Sequence, residues 1–468
     1  MAKNSRPNLL MTPTLLIANR GEIACRVIRA ARTLALRTVA VYSEADRELP
    51  HVSMADAAVA IGPARPAESY LRIPVVLEAA KEQGATLIHP GYGFLSENAA
   101  FAAACTDAGI RFVGPTPAVI RLMGDKDRAR RAAAAAGVPV LPGTGKLDPS
   151  DQAAILDAGA RTGFPLLVKA AAGGGGIGMR TVSHLDDLVP SVTATSGLAQ
   201  KAFGDGSVYL ERFVERARHV EIQLFGFGNG EAVHLFERDC SLQRRHQKVV
   251  EEARAPNIQD AVRERIAAAA VKLACACKYQ GAGTVEFLYD TNSKEFFFLE
   301  MNTRIQVEHP VTEMITSVDI VAAQLRLAMG ERLDDELAQA KFKPQGHAVE
   351  ARIYAENPAK NFMPSPGLLS VMRLPSGDGV RVESGYAEGC RISPFYDPMV
   401  MKIIAHGTDR DQAIARLSRA LDNLRIEGIA HNASYVRSVL AHPAFLAGEL
   451  HTGFLAQFHA KLIGLTGH

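Results

Sequence analysis

The feature that most limits how this chain can fold is the alternation of apolar runs and helical patterns over its first 113 residues. The apolar runs lie at Thr14–Ala18, Val39–Ser43, Ala57–Ile61, Thr86–His89 and Arg111–Val113. Helical patterns, such as the amphipathic one that ends near Ala31, separate several of these runs. Short strands that alternate with helices indicate βαβ units, so we expect a parallel sheet with helices on its faces.

Two loops follow strands of this expected sheet. Ligands of such sheets bind beyond the carboxyl ends of the strands, which draws attention to Asn19–Glu22 and His89–Gly93. Neither loop has the Gly-x-Gly-x-x-Gly pattern of dinucleotide-binding proteins. The sequence therefore disfavours a nicotinamide enzyme.

Composition indicates a globular protein of several domains. The 468 residues exceed one ordinary core, and the hydrophobic and charged fractions, 47% and 22%, are those of globular proteins. A net charge of +2 is too small to attract nucleic acid or an anionic membrane, so we expect neither as a partner. There is no apolar run of about 18 residues and no secretory signal pattern. The six cysteines lack regular spacing, which predicts reduced thiols and a cytoplasmic location.

The pattern of elements changes along the chain and favours an α/β class, α+β overall, in three parts. We place the domain borders at residues 1–113, 114–330 and 345–453, with a small α+β insertion at about 141–213. Within the middle part we expect an alanine-rich helix from Asp125 to Gly137, many strands from 219 to 303, and a single helix over 312–330.

The strongest local signal is a pair of carboxylates on a predicted hairpin. The segment Gly283–Arg304 has the pattern of two strands that turn at Thr291–Lys294. In this pairing Glu286 lies within one residue of facing Glu300, and the period of two puts Asn302 on the same face as Glu300. Opposed carboxylates repel each other, and two carboxylates with an amide oxygen suit Mg²⁺ that holds nucleotide phosphates. A solvated outer face of the sheet is the alternative.

A lysine leaves a strand just before a run of glycines. Lys169 lies in the predicted strand Leu166–Ala170, and the glycine loop Gly173–Gly178 follows it. The backbone N–H groups of such a loop can close over phosphate oxygens with no side chain in the way. No Gly-Lys-Ser/Thr follows, so this is not a Walker A loop, and a flexible surface loop is the alternative.

A basic segment forms a third candidate. Five cationic or potentially cationic groups lie within the eleven positions from Arg238 to Lys248. They could hold anions, or they could form a solvated basic edge. Upstream, the strand pattern at Arg218–Gln223 places His219 and Glu221 on one face, where a lone histidine is usually structural.

Together these motifs closely resemble those of biotin carboxylases, which belong to the ATP-grasp superfamily. The resemblance rests on Gly124–Lys126, the glycine loop after Lys169, Arg218–Gln223, Glu237–Lys248, Glu300–Pro310, Asn19–Ala24 and Ser393–Pro398. It covers roughly residues 13 to 450, and the run from Glu300 is its most specific part. The resemblance implies a parallel-sheet N-terminal domain, an ATP-grasp central domain with a mobile glycine-loop lid, and a C-terminal α+β domain.

The resemblance also implies the ligands: ATP, two Mg²⁺ or Mn²⁺ ions, bicarbonate, and biotin on a carrier. It implies phosphate or other cofactor contacts for Lys126, Lys169, Gly174, Gly175, Gly176, Gly178, His219, Gln243 and His246, adenine contacts for Glu211, Arg212 and Val214, and metal ligation for Glu286, Glu300 and Asn302.

The catalytic roles follow from the same resemblance. It implies that Arg304, Gln306 and Val307 seat bicarbonate, that Glu308 removes its proton, that Lys248 holds carboxyphosphate and that Arg352 stabilises the biotin anion. Rigid arginine forks suit planar anions, and a carboxylate near arginines and metals stays ionised at neutral pH, as a base must. An ion-pair partner of Arg304 or Arg352 is the alternative for Glu308.

Two positions depart from the family pattern. Ile177 stands where the glycine loop usually carries lysine or arginine, which could weaken phosphate contact or lid closure. Arg254 stands where proline is common. The predicted metal ligands and the predicted base are all present.

The sequence implies partners and leaves other functions open. No biotin-attachment motif such as Ala-Met-Lys-Met occurs, so we expect a biotin carboxyl carrier protein or domain elsewhere, a carboxyltransferase subunit, and, from the family, a homodimer. The final acceptor is open, with a weak preference for an acyl-CoA. An ATP-grasp ligase that joins a carboxylate to an amine would not explain the Glu300–Pro310 run. A non-catalytic subunit is motivated by Ile177 alone.

Overall fold

A computed structural model describes residues 13–170, 179–203, 205–245 and 247–464. The predicted cofactor residues Gly174, Gly175, Gly176, Gly178 and His246, and also Ile177, lie outside the described residues. The chain forms two compact units: a main unit of Met1–Val138, Arg218–Phe287 and Glu300–His468, and an inserted unit of Pro139–Ala217 and Leu288–Leu299. The three predicted domain borders remain a proposal.

The first part of the main unit is a five-stranded sheet with helices. Its elements are β1 (Thr14–Ile17), α1 (Gly21–Thr33), β2 (Arg37–Tyr42), α2 (Pro50–Met54), β3 (Ala57–Ala60), α3 (Ile73–Glu82), β4 (Leu87–His89), α4 (Ala99–Asp107) and β5 (Arg111–Phe112). All neighbouring strands are parallel, in the order β3-β2-β1-β4-β5. The predicted parallel sheet is confirmed, because each predicted strand lies within two residues of an observed one.

Both faces of the central strand β1 are buried. Leu15 and Ile17 pack with Val27 of α1, whereas Leu16 lies in a second cluster with Phe101 of α4. A strand that is covered on both sides reads as a continuous apolar run, which is why its bounds were visible in the sequence.

The two loops singled out at the carboxyl edge of this sheet are bonded to each other. Asn19 Nδ2 donates to the carbonyl oxygens of Pro90 and Tyr92, both at 2.7 Å. Gly91 has a φ of +62°, and a Cβ there would lie 2.7 Å from Asn19 Nδ2. The close approach of the loops therefore requires glycine at this position.

Two helices follow in the main unit, α5 (Pro117–Gly124) and α6 (Lys126–Ala135). The side chain of Asp125 caps α6 by accepting hydrogen bonds from the N–H groups of Asp127 and Arg128. The predicted alanine-rich helix is thus confirmed.

The inserted unit has its own core. It contains α7 (Gln152–Thr162), β6 (Leu166–Ala170), β7 (Met179–Val182), α8 (Leu188–Phe203) and β8 (Val208–Arg212). The three strands form an antiparallel sheet in the order β7-β6-β8. Ile155, Val168 and Leu188 are among the residues that join the helices to this sheet.

The rest of the chain builds a large sheet and its surroundings. Its elements are β9 (Ala217–Phe227), β10 (Ala232–Arg244), β11 (Gln247–Ala253), α9 (Asp260–Ala276), β12 (Gln280–Asp290), β13 (Phe296–Asn302), α10 (His309–Thr316), α11 (Ile320–Ala328), β14 (His347–Tyr354), β15 (Glu356–Asn357), β16 (Met363–Pro364), β17 (Gly367–Leu368), β18 (Val371–Arg373), β19 (Val380–Ser384), β20 (Arg391–Ile392), β21 (Met399–Gly407), α12 (Arg410–Asn423), β22 (Arg425–Glu427), α13 (Ala433–Leu440), α14 (Pro443–Leu446) and α15 (Phe454–Gly464). Eight strands pair in the order β13-β12-β9-β10-β11-β14-β21-β19.

The predicted hairpin is confirmed. The prediction of a single helix over 312–330 is wrong. Strands β12 and β13 are neighbours, and the N–H of Asp290 donates to the carbonyl of Glu295 across the turn. In place of one helix there are two, α10 and α11. Ser317 adopts a left-handed conformation with a φ of +59°, and the side chain of Asp319 caps α11. Both features end the first helix and start the second.

A large apolar cluster lies beside the C-terminal strands. It joins Ile353 of β14 and Ile403 of β21 to Leu417 of α12, and it includes Phe454 and Leu462 of α15. Among the described residues, no helix is long and apolar enough to cross a membrane.

Candidate functional site

A layer of buried polar side chains lies on the central strands of the large sheet. His219, Glu221 and Gln223 alternate along β9, as predicted, and all three are buried. Glu221 faces Arg238 of β10 directly across the strand pair. Because side chains alternate along a strand, these three residues lie on the same face of the sheet.

Arg238 is the hub of this layer. Its guanidinium donates to Glu221 Oε1 (2.6 Å), Gln223 Oε1 (2.7 Å), Gln306 Oε1 (2.7 Å), Thr312 Oγ1 (2.9 Å) and Thr284 Oγ1 (3.1 Å). A guanidinium has five N–H donors, and these five bonds use them all. Arg238 therefore orients Gln306 and has no donor left for an external anion.

Lys248 is surrounded by three carboxylates. Its Nζ lies 2.5 Å from Glu308 Oε1, 2.8 Å from Glu221 Oε2 and 3.3 Å from Glu286 Oε1. Burial lowers the pKa of Lys248, but these negative groups and the nearby Cys240 raise it well above its usual value. The positive charge of Lys248 therefore lies at the centre of the three carboxylates.

Glu308 lies at the start of α10, between two cations. Its Oε1 contacts Lys248, and its Oε2 accepts from Arg352 Nη2 at 3.0 Å. Only 2% of Glu308 is exposed. Burial raises its pKa, but Lys248, Arg352 and Arg238 hold the pKa of Glu308 well below its usual range. The carboxylate is thus ionised and can accept a proton.

Arg352 contacts two carboxylates whose pKa values are shifted in opposite directions. Its Nε lies 2.5 Å from Glu251 Oε1, while its Nη2 binds Glu308. Burial raises the pKa of Glu251 to about 7, although Arg352 counteracts it. Glu251 also faces Glu350 on the neighbouring strand, and burial raises the pKa of Glu350 well above its usual range. The surroundings therefore favour the protonated forms of Glu251 and Glu350 and the ionised form of Glu308.

The predicted metal ligands are partly assembled. Asn302 Nδ2 and Gln306 Nε2 donate to Glu286 Oε1 at 2.8 and 2.9 Å, and His219 Nε2 lies 2.9 Å from Glu286 Oε2. Burial and the charge of Glu286 raise the pKa of Glu300. A divalent cation would relieve this repulsion, and two carboxylates with an amide oxygen match the ligands that Mg²⁺ prefers. The chemistry of the two carboxylates therefore suits the metal, while the amide oxygen of Asn302 accepts from Arg304 Nη2 in this structure.

Arg304 is held by a residue of the N-terminal part. Its Nε lies 2.9 Å from Glu97 Oε2, and its Nη2 donates to Asn302 Oδ1 at 2.9 Å. Glu97 Oε1 also accepts from the N–H of Thr303 at 3.3 Å. The arginine is therefore fixed beside the carboxamide of Asn302.

Within the inserted unit, two predicted nucleotide residues contact each other. The ammonium of Lys169 pairs with the carboxylate of Glu211, and it lies 5.9 Å from the ring centre of Tyr209. Arg212 is half-buried at the end of β8. Val214 packs in an apolar cluster with Phe297.

The described residues of the basic segment, which leave out His246, do not form one cationic patch. Arg238 is buried among its acceptors, whereas Arg244 pairs with Glu356 at 2.8 Å and lies over the ring of Phe362. Gln243 faces Lys248 across the β10–β11 pair. Alternation along the strands sends neighbouring side chains to opposite faces, which separates the charges.

Lys126 and Arg254 differ in exposure. Lys126 is 88% exposed, and its Nζ lies 3.7 Å from Glu300 Oε2. Arg254, the departure from the family pattern, pairs with Glu237 at 3.3 Å and with Asp260 at 3.4 Å. Its peptide bond with Ala253 is cis.

Sequence reasoning missed several residues that shape this cluster. Glu221 shared the face of His219 in the predicted strand, so its parity was a usable signal. Lys402 was also visible as a lone lysine within the apolar strand Met399–Gly407. Glu97 and Glu251 gave no signal, because nothing in the sequence indicates which distant residues they contact.

Comparisons with known proteins agree with this architecture. Residues 11–120 match the family model for the biotin carboxylase N-terminal domain, residues 125–336 that for the ATP-binding domain of the carbamoyl-phosphate synthase L chain, and residues 350–457 that for the biotin carboxylase C-terminal domain.

Individual relatives cover nearly the whole chain. A biotin carboxylase of Halalkalibacterium halodurans is 50% identical, over 97% of this chain and 99% of the relative. The mitochondrial methylcrotonoyl-CoA carboxylase subunit alpha of Mus musculus is 49% identical over 96% of this chain and 62% of its own length. The structure of the biotin carboxylase domain dimer of Hydrogenobacter thermophilus 2-oxoglutarate carboxylase, with MgADP, ADP and bicarbonate, has a TM-score of 0.87. That domain is 41% identical over 97% of this chain and 98% of its own length.

Proposed function

Because this chain belongs to the biotin carboxylase family, we propose that the buried cluster around Glu308 is where it carries out the reaction of that family. The reaction is the ATP-dependent carboxylation of biotin, and it uses Mg²⁺ and bicarbonate. The observation that carries the proposal is the carboxylate of Glu308, held between Lys248 and Arg352.

Glu308 is the base in this proposal. Its carboxylate takes the proton of the bicarbonate hydroxyl, and the freed oxygen attacks the γ-phosphorus of ATP. A new P–O bond forms as the bond to the β-phosphate oxygen breaks, which gives carboxyphosphate and ADP. A general base must be ionised before it acts, and the depressed pKa of Glu308 meets that requirement.

Arg304, Gln306 and Val307 seat the bicarbonate. Hydrogen bonds to Arg238 and Glu286 fix the carboxamide of Gln306, and Glu97 fixes the guanidinium of Arg304. Groups that are held before the substrate arrives need little reorganisation during the reaction, so they stabilise developing charge effectively.

Lys248 and Arg352 act on the later anions. Lys248 offers a compact positive charge to carboxyphosphate. In the family mechanism carboxyphosphate gives CO₂ and phosphate, and the phosphate takes the N1′ proton of biotin. Arg352 then stabilises the biotin anion, for which its planar guanidinium is suited.

The nucleotide contacts are assigned from the resemblance, residue by residue. In the main unit we assign phosphate contacts to Lys126 and His219, with Gln243 as a further cofactor contact. In the inserted unit we assign phosphate contacts to Lys169 and to Gly174, Gly175, Gly176 and Gly178, and adenine contacts to Glu211, Arg212 and Val214; His246 is also assigned to the cofactor. Glu286, Glu300 and Asn302 would hold the divalent cations, which neutralise charge on the phosphates.

The protein belongs to a larger catalytic system, because biotin carboxylases act within biotin-dependent carboxylases. We propose that its substrate is biotin on a carrier protein or domain, that a carboxyltransferase subunit uses the product, and that the chain forms a cytoplasmic homodimer. The relatives belong to carboxylases of different acids, so the acyl-CoA acceptor expected from the sequence also remains a proposal.

The test is ADP release by the purified protein with Mg²⁺, ATP and bicarbonate, with and without free biotin. Glu308→Gln is nearly isosteric but cannot take the proton, so we expect it to lower bicarbonate-dependent release by about 100-fold or more. Glu313→Gln is the matched control, since Glu313 is also a buried, ion-paired glutamate of α10.

The other outcomes discriminate between functions. Release that is indifferent to biotin would indicate another ATP-grasp ligase. Bound ATP without any release would indicate a non-catalytic subunit. Equal rates for Glu308→Gln and Glu313→Gln would remove Glu308 from the role of base.

A further inference from the structure

We infer that Lys402 is a positioning residue that holds the main-chain carbonyl of Val307 and thereby fixes the turn that presents Gln306, Val307 and Glu308 to bicarbonate. The inference rests on the proposed function, because it assumes that this turn seats bicarbonate and carries the base. Its own evidence is the geometry around the Lys402 ammonium.

Lys402 lies in the middle of an apolar strand and is fully buried. It occupies β21, where its neighbours Met401 and Ile403 belong to the apolar core. Across the sheet it faces Arg352 of β14 on one side and Glu383 of β19 on the other. Arg352, Lys402 and Glu383 thus form one row across three strands, and the first member of the row contacts Glu308.

The ammonium donates one hydrogen bond and lies between two carboxylates. Lys402 Nζ lies 2.5 Å from the carbonyl oxygen of Val307, 3.1 Å from Glu383 Oε2 and 3.3 Å from Glu22 Oε1. The carboxylates of Glu22 and Glu383 keep the lysine charged despite its burial. A charge-assisted bond to a main-chain carbonyl is stronger than a neutral one, so it is suited to fix a turn.

The carbonyl of Val307 differs from its neighbours in the same turn. The carbonyls of Gln306 and Glu308 accept bonds from the N–H groups of His309 and Val311, within the first turn of α10. The Val307 carbonyl instead accepts from Lys402, which is 95 residues away in the sequence. The peptide immediately before Glu308 is therefore oriented by the C-terminal part of the chain.

The expected effect of replacing Lys402 distinguishes a positioning role from a purely structural ion pair. If Lys402 only stabilised the fold, its replacement would lower thermal stability and leave substrate parameters alone. If it orients the Val307–Glu308 peptide, its loss misplaces the bicarbonate seat and the base, while the nucleotide contacts remain. A small misplacement of reacting groups is sufficient to slow a reaction strongly.

The experiment compares Lys402→Met, Lys402→Arg and the unchanged full-length protein. For Lys402→Met we expect kcat/KM for bicarbonate to fall by about ten- to 100-fold, with most of the change in KM. Affinity for a non-hydrolysable ATP analogue, measured without bicarbonate, should change by less than about twofold. Lys402→Arg keeps the charge and a donor, so it should restore most of the bicarbonate kcat/KM.

Arg410→Met is the matched control. Arg410 also joins a buried carboxylate, Glu252, to main-chain carbonyls, those of Phe445 and Leu446, but it does so away from the Glu308 turn. We expect it to lower the thermal midpoint without changing the bicarbonate KM. If Lys402→Met does not fold, Lys402→Met/Glu22→Gln also removes the carboxylate whose ion pair is made with Lys402, and its bicarbonate kcat/KM decides in the same way.

Two results would overturn the inference. One is a folded Lys402→Met, or double variant, with the kcat/KM for bicarbonate of the unchanged protein. The other is an equal loss of bicarbonate kcat/KM and ATP-analogue affinity, which would indicate general disruption. Failure of the proposed function is distinguishable, because in that case the unchanged protein lacks bicarbonate-dependent ADP release or Glu308→Gln retains it.

Discussion

Strand β1 of the N-terminal parallel sheet and strand β9 of the large sheet are both buried, but their buried side chains differ in chemistry. Leu15 and Ile17 of the first sheet lie in apolar clusters with their helices. Glu221 and Arg238 of the second sheet are equally buried, but they are charged and are satisfied only by each other and by neighbouring polar groups.

The difference between apolar packing and the buried ion cluster indicates which part of the molecule serves stability and which serves chemistry. Apolar cores tolerate changes that keep their volume, because the hydrophobic effect is not directional. A buried ion cluster adds little net stability over apolar packing of the same shape, yet the removal of one member leaves a buried charge without a partner. The cluster is therefore best explained by the anionic substrates and proton transfer that we propose for it.

The largest expected effect comes from the hub of the charged layer. Arg238→Met keeps much of the side-chain volume but leaves Glu221 without its guanidinium, so we expect a loss of about 3–5 kcal/mol in the free energy of unfolding. Leu16→Met in the parallel sheet is the contrast and should cost less than about 1.5 kcal/mol. Urea unfolding measures both. If the two losses are equal, the proposed contrast between the sheets is wrong.

The second prediction concerns acid and the N-terminal part. Burial lowers the pKa of His51 to about 4, so the folded state excludes a proton that the unfolded chain binds below about pH 6.5. This contribution to stability is present above about pH 6.5 and is lost as the pH falls towards 4, by about 2.5 kcal/mol at pH 4.5.

The check for His51 is the change in unfolding free energy between pH 7.5 and 4.5. His51→Gln has no proton to bind, so this change should be smaller in the variant than in the unchanged protein. An identical pH dependence would mean that His51 is protonated in the folded state.

The third prediction has the opposite sign and lies in the charged layer. The pKa of Glu251, about 7, is above the value of about 4.3 for an unfolded glutamate. A raised carboxyl pKa stabilises the folded state at low pH, and the contribution is lost as the pH rises through 7. We expect a loss of about 2.5 kcal/mol between pH 5 and pH 8. Glu251→Gln should remove this loss in urea unfolding at the two pH values, whereas Glu313→Gln, which replaces another buried, ion-paired glutamate, should keep it.

The sequence predicted elements where one strand or one hairpin contains the whole signal. The apolar run of β1 and the strand at Leu166–Ala170 were recognisable, and so was the hairpin that brings Glu286 close to Asn302. The predicted single helix at 312–330 failed because the left-handed Ser317 is a property of one backbone position, which periodicity does not report.

Contacts between distant segments could not be predicted in the same way. Glu97 binds Arg304 from 207 positions away, and Arg352 binds Glu308 from 44. Spacing and periodicity describe neighbours along the chain, whereas such pairs depend on how the elements pack. The motifs implied which residues form the site, but they did not imply what holds each residue in place.

The salt bridge between Glu97 and Arg304 has a consequence for how parts of this enzyme family can be exchanged. The two residues fall in sequence segments that match different family models, and the same holds for Arg352 and Glu308. A chimaera that takes one of these segments from a relative must therefore inherit both members of each pair, or compatible substitutes. The segments are separate units of classification, but they are not interchangeable parts.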